Sequence, residues 1–137
     1  MIESQNAGGV VRIFKTRAFG RFARKERIGD TLLCEAIERA DRGVMDADLG
    51  GHVIKQRVAR PGQGRSGGYR TLIAYRSKTR AVFLFGFAKN DQDNIDDDEL
   101  KELRKAAAQM LGWHDKDVAA LVAEGKWTEI ECDGQDL

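Results

Sequence analysis

The stretch VIKQRVAR (Val53–Arg60), PGQGRSGG (Pro61–Gly68), YRTLIAYR (Tyr69–Arg76), SKT (Ser77–Thr79) and RAVFLFGFA (Arg80–Ala88) decides the architecture. Its β-branched and aromatic runs read as strands, and the three residues before the last run are hairpin length. The spacing therefore predicts a three-stranded antiparallel meander, with Pro61–Gly68 too glycine-rich for regular structure. Upstream, VVRIFK (Val10–Lys15) reads as a strand. A helix over Arg17–Arg27 follows, with Thr16 as N-cap and Phe19, Phe22 and Ala23 on one stripe. Gly29-Asp30 breaks that helix and Asp30 caps the next, in which Leu32, Leu33, Ala36, Ile37 and Ala40 keep the 3.6-residue period until Gly43. Downstream, Leu100, Leu103, Ala107 and Met110 mark a helix over Asp97–Leu111 that Gly112 ends. Asp115–Glu124 reads as one more short helix and Trp127–Cys132 as a terminal strand. The order predicts a small single α+β domain: an N-terminal strand and two helices, a three-stranded antiparallel meander, then a C-terminal helix, with the helices on one face of the sheet. The expected division is a disordered start at 1–9, a folded domain at 10–111 and an extension at 112–137.

At 137 residues the chain fits one domain. A hydrophobic fraction of 42% with 33% charged residues suits a soluble globule and excludes a disordered, collagen-like or membrane-spanning chain. No apolar run approaches the ~18 residues of a membrane helix. The polar start Met1–Gly9 has no apolar signal region, so the expected location is cytoplasmic. Cys34 and Cys132 are too few and too unpatterned for a disulfide framework or a zinc site, and fit a reducing compartment.

The net charge of +1 conceals a strong asymmetry. Residues 1–90 hold 18 Lys and Arg against 8 Asp and Glu, whereas residues 91–137 hold 5 against 14. Between Leu49 and Lys89 stand Lys55, Arg57, Arg60, Arg65, Arg70, Arg76, Lys78, Arg80 and Lys89, with no acid among them. Such a run points to an external polyanion, nucleic acid being the commonest, against the plainer reading of a solvated basic face partly neutralised by the acidic tail.

Several motifs fail on context. Gly62-x-Gly64-x-x-Gly67 matches the dinucleotide fingerprint in letters, but a strand follows it where a helix must. Asp91, Asp93 and Glu102 fit positions of a calcium loop, yet Ile95 and Asp96 replace the ligand and the glycine that wrap the ion, so helix-capping carboxylates are the better reading. His52 and His114 lie far apart without ligand-spaced companions, and no metal or cofactor is expected. Trp113 and Trp127 read as packing residues.

The basic sheet remains. Alternation puts Lys55 and Arg57 on one strand face and Ile54 and Val58 on the other. Cleaving RNA without a metal requires the 2′-hydroxyl to lose a proton and attack phosphorus, the oxyanion to be stabilised, and the 5′-oxygen to gain a proton. Arginine suits the oxyanion through its planar fork. A lysine among like charges gives up its proton more readily and suits the base. The same cluster would also serve simply to hold a phosphate backbone.

The run Gly50–Asn90 resembles the RelE/ParE superfamily of toxin–antitoxin toxins, in particular RelE- and HigB-like messenger-RNA interferases. The shared features are the KxR strand (Lys55, Arg57), a loop rich in glycine and cations, GGYR opening the next strand (Gly67–Arg70), and an aromatic strand ending in Phe87-Ala88-Lys89-Asn90. With its flanking helices the resemblance spans Val10–Leu111. It implies a metal-independent endoribonuclease, without a cofactor, that cuts messenger RNA in the A site of the small (30S) ribosomal subunit. It also implies a cognate antitoxin, in HigB-like systems often carrying a helix-turn-helix domain. Carried over by position, Lys55 and Arg57 supply base and phosphate contacts, Arg70 holds the scissile phosphate, and Lys89 stabilises or protonates the leaving side. Arg60, Arg65, Tyr69 and Phe87 fall among the RNA contacts. Phe87 stands where several relatives have a tyrosine, and Ile95-Asp96 stands where the best-known members place a catalytic tyrosine. The alternatives are a ParE-like gyrase inhibitor, a non-catalytic ribosome- or RNA-binding module, and a docking face for an acidic partner alone.

Overall fold

The computed structural model describes residues 11–60, 64–88 and 95–132, with the side chains of residues 60 and 64–67 outside that set. In chain order the elements are β1 (Arg12–Thr16), α1 (Arg17–Glu26), α2 (Asp30–Asp41), β2 (Ala47–Asp48), β3 (Val53–Arg60), β4 (Gly64–Arg76), β5 (Arg80–Ala88), α3 (Asp97–Gly112), α4 (Asp115–Ala123) and β6 (Trp127–Ile130). The strands form one sheet in the order β2-β3-β4-β5-β1-β6. β1 runs parallel to β5, and every other neighbouring pair is antiparallel. The fold is α+β, and the meander β3-β4-β5 is its centre.

The helices do not share one face, as the sequence reading expected; they cover both. Phe19 and Ala23 of α1 and Leu33, Ala36, Ile37 and Ala40 of α2 pack with Ile54, Val58, Ile73 and Phe83 on one side. Ala107 and Leu111 of α3 and Val118 of α4 pack with Val53, Ala74, Val82, Leu84 and Trp127 on the other. The cause is visible in the strands: Leu72-Ile73-Ala74-Tyr75 and Ala81-Val82-Phe83-Leu84 are apolar at every position and buried throughout. A strand without alternation needs cover on both faces.

Local signals set the helix ends. Thr16 caps α1, its Oγ1 accepting from the Phe19 amide at 3.1 Å. Asp96 and Glu99 close a reciprocal capping box at the start of α3. Asp30 does not cap α2 as expected: Gly29 holds the N-cap position, and Asp30 lies in the first turn, paired with Lys15 at 3.1 Å. Pro61–Gln63 lie outside the described residues, but the rest of the expected loop is strand, since β4 begins at Gly64 and pairs with Arg60 across a register shift. Main-chain pairing needs no side chains, and an irregularity of this kind absorbs the three surplus residues of β4.

The chain end returns to the sheet. β6 pairs with β1, and Arg12 grips Glu129 through two hydrogen bonds of 2.9 Å, which raises the guanidinium pKa above its usual value. The same return brings Cys132 to α2, where it forms a disulfide with Cys34. This corrects the reading of two unpaired thiols: the partners are 98 residues apart, and only the pairing of β6 with β1 makes them neighbours. Among the described residues no helix is long and apolar enough to cross a membrane.

Candidate nucleic-acid interface

Strand register assembles the basic face. Arg57 stands directly opposite Arg70, which in turn stands opposite Phe87; one row along, Lys55 is opposite Leu72 and Leu72 opposite Phe85. Lys55, Arg57, Arg70 and Phe87 therefore share the face on which α3 packs. Directly opposed residues place their Cβ atoms about 5 Å apart, and like charges so placed repel. Negative charge between or beside such cations relieves the repulsion.

Part of that charge is internal. Asp46, just before β2, accepts the Arg57 amide at 2.6 Å and lies 3.9 Å from its guanidinium. Buried Arg39 of α2 braces the same point, donating to the Arg57 carbonyl at 2.5 Å and to Glu35 at 2.8 Å, with Asp46 at 3.7 Å. Fully buried Gln56 ties this loop to β3. Its amide donates to the Ala36 and Val44 carbonyls at 2.9 and 3.2 Å, and its oxygen accepts the Asp46 amide at 2.8 Å. Arg70 has no such arrangement. Among the described residues its Nη1 is buried with no hydrogen-bond partner. A buried charged donor normally has an acceptor, which sets this nitrogen apart from the braced Arg39 and Arg57.

Beside the cations lies a groove of about 780 Å³ between the sheet and α3, lined mainly by Leu72, Leu84, Phe85, Phe87, Leu103 and Met110, with Glu99 and Glu102 on its α3 side. Phe85 is half exposed in it. A planar apolar wall next to a cationic row is a setting in which a base stacks while its phosphate meets arginine.

The remaining sequence candidates divide. Tyr69 is buried on the opposite face, packed edge-on against Phe22, and its hydroxyl donates to Glu26 at 2.8 Å; alternation turns it away from its neighbour Arg70. The side chains of Arg60 and Arg65, and the whole of Lys89, lie outside the described residues. Arg76 and Arg80, counted in the acid-free window, serve the fold. Arg76 donates to the Leu111 carbonyl at 3.1 Å, and Arg80 to the Met110 and Trp113 carbonyls at 2.7 and 3.0 Å and to Asp115 at 3.0 Å. Together they cap the C-terminus of α3. Sequence reasoning missed Asp46, Arg39 and Gln56. Only Gln56 carried a local signal, as a polar residue between Ile54 and Val58 on the apolar face of its strand. Among the described residues no cluster of three or more His, Cys, Asp or Glu is placed to hold a metal ion.

A model of the family described as RelE toxin of the RelE/RelB toxin–antitoxin system matches residues 11–130, nearly the whole described chain. The chain belongs to the RelE toxin family. No curated protein matches it. As a RelE-family toxin it is one half of a toxin–antitoxin pair, and its partner is an antitoxin. The match runs through β6, so the terminal strand and the helix before it fall within the family's extent.

Proposed function

We propose that this RelE-family toxin is a ribosome-dependent endoribonuclease that cuts messenger RNA in the A site of the small ribosomal subunit and so arrests translation. The observation that carries the proposal is the Nη1 of Arg70, on the same face as Arg57, buried and, among the described residues, without a hydrogen-bond partner. In this reading Arg57 and Arg70 hold the scissile phosphate and take up the charge that develops on its non-bridging oxygens. Lys55, diagonal to Arg70 on the same face, accepts the proton of the 2′-hydroxyl. The freed oxygen bonds to phosphorus, the bond to the 5′-oxygen breaks, and Lys89 supplies the proton that the leaving oxygen needs. Phe87 stacks on the neighbouring base, and Arg60 and Arg65 extend the phosphate path. The antitoxin, in a HigB-like arrangement carrying a helix-turn-helix domain, silences the toxin in the cytoplasm.

The test is primer extension on a translating message with purified ribosomes, alongside Arg70→Ala. Discrete cuts that need ribosomes and vanish in the variant are expected. An intact message from folded protein would overturn the reading and direct attention to gyrase inhibition or to binding without chemistry.

A further inference from the structure

Strand β5 departs from strict alternation at one point. Leu72 of β4 stands opposite Phe85 and Ile73 opposite Phe83, so Leu84 is an extra residue, a bulge. Before it, Val82 and Leu84 pack on the α3 side. After it, Phe85 and Phe87 line the groove beside that helix, and Gly86 turns to α1, where a Cβ would collide with the Phe22 ring. Uninterrupted alternation would send Phe85 and Phe87 to the α1 side. The bulge delivers both rings to the groove and leaves Phe85 half exposed there, although burial would stabilise it.

The polar groups around this aromatic wall differ in sign from one side to the other. Arg70 stands opposite Phe87, with Arg57 next to it across the strand pair. Glu99 and Glu102, one turn apart on α3, line the helix side. Glu99 is engaged in the capping box, accepting the Asp96 amide at 3.3 Å. Glu102 meets Lys105 at 3.5 Å, with both side chains largely exposed, a pair that contributes little. The Glu102 carboxylate is thus free to exchange that contact for a ligand in the groove.

We propose that the groove is a base-reading subsite that takes one unpaired guanine of RNA, stacked on Phe85 and held by Glu102. Guanine presents two donors side by side on one edge, N1–H and the N2 amino group, and the two oxygens of a carboxylate accept both in parallel. Adenine and cytosine carry a ring acceptor beside the amino group, and uracil flanks its N–H with carbonyls. Each of these sets an acceptor against the carboxylate and leaves it unsatisfied. A guanine nucleotide is anionic at its phosphate and donor-rich at its base edge, which matches arginines on one side and a carboxylate on the other. A flat, half-exposed aromatic wall fits the face of a base better than the ridged surface of a protein helix. The inference deepens the reading of this face as an RNA cleft and rests on it.

The test is fluorescence anisotropy of the full-length toxin, without ribosomes, on labelled RNA trinucleotides UGU, UAU, UCU and UUU. UGU should bind at least about tenfold more tightly than the others, the discrimination of one good two-point contact. Glu102→Gln replaces one acceptor by a donor and should turn the preference from guanine to adenine. Phe85→Ala should weaken binding of all trinucleotides by about tenfold, the loss of one stacked base. Arg70→Ala should weaken all of them alike and keep the guanine preference, and thermal melting confirms that each variant is folded. Equal affinities, a preference for another base, no binding, or a guanine preference that survives Glu102→Gln would overturn the subsite. So would loss of antitoxin binding in Phe85→Ala and Glu102→Gln with trinucleotide binding unchanged. Primer extension separates this inference from the cleavage reading. A guanine preference with an intact message keeps the subsite and overturns cleavage; ribosome-dependent cuts with equal trinucleotide affinities do the reverse.

Discussion

A guanidinium nitrogen withdrawn from water without an acceptor destabilises a fold by on the order of 1–3 kcal/mol, and among the described residues the Nη1 of Arg70 is so placed. Removing the side chain should therefore lower stability by less than about 0.5 kcal/mol, or raise it, while abolishing cleavage; urea melts of Arg70→Ala set beside its primer-extension lanes check both halves. Tyr75 shows the opposite balance. Burial first, and then its hydrogen bond to Asp41, push its hydroxyl up to about 12 from the ordinary 10.0. Because the unfolded hydroxyl ionises first, this contribution to stability is complete below pH 10 and is lost as pH rises toward 12. Tyr75→Phe should flatten that alkaline decline, read as melting temperature against pH. At this scale alternation makes much of the site legible: Lys55, Arg57 and Arg70 fall on one face by counting. The same counting sends Tyr69 away from Arg70, and a family pattern that placed both at the site ran against it. Asp46 and Arg39 were beyond reach, because their roles arise from how the α2–β3 connection folds over β3.

The elements owe as much to distant side chains as to their own sequences. α3 begins with a strong local signal, the Asp96–Glu99 capping box, but has no basic residue in its last turn. Its terminal carbonyls are instead taken by Arg76 and Arg80 from the β4–β5 hairpin. Arg80→Ala removes two carbonyl contacts and the Asp115 ion pair from a buried position, and should destabilise by about 2–4 kcal/mol. Arg76→Ala, exposed and with one such bond, should lose about 1 kcal/mol or less. Chemical denaturation of both variants gives the comparison, and near-equal losses would contradict the division of labour. The three meander strands were legible because their apolar and β-branched runs are long and their last turn is short. That the sheet is covered on both faces was also written in the unalternating run Ala81–Leu84, although the expected architecture placed all helices on one side. β2, two residues long, has no local signature and exists only as a partner for Lys55 and Ile54.

For the molecule as a whole, the decisive connections are the long ones. The Cys34–Cys132 disulfide closes a loop with a sequence separation of 98, for which the chain-entropy argument gives a stabilisation of up to about 4–5 kcal/mol. Reduction with dithiothreitol should therefore lower the melting temperature substantially, and Cys34→Ser should reproduce the shift without reductant; insensitivity to both would show that the bridge is not carried in solution. Neither the bridge nor the place of β1 between β5 and β6 was legible, since each joins distant stretches of chain and nothing in a local window specifies them. The parallel pairing of β1 with β5, and its antiparallel pairing with β6, has a consequence for synthesis. Residues 12–16 leave the ribosome first, yet their two partners are residues 80–83 and 127–130. The Arg57–Arg70 face lies in the middle, built from near neighbours that pair as soon as they emerge. The sheet that supports it is completed only when residues 127–130 have followed. A toxin made this way carries its basic face before the sheet that supports it is closed.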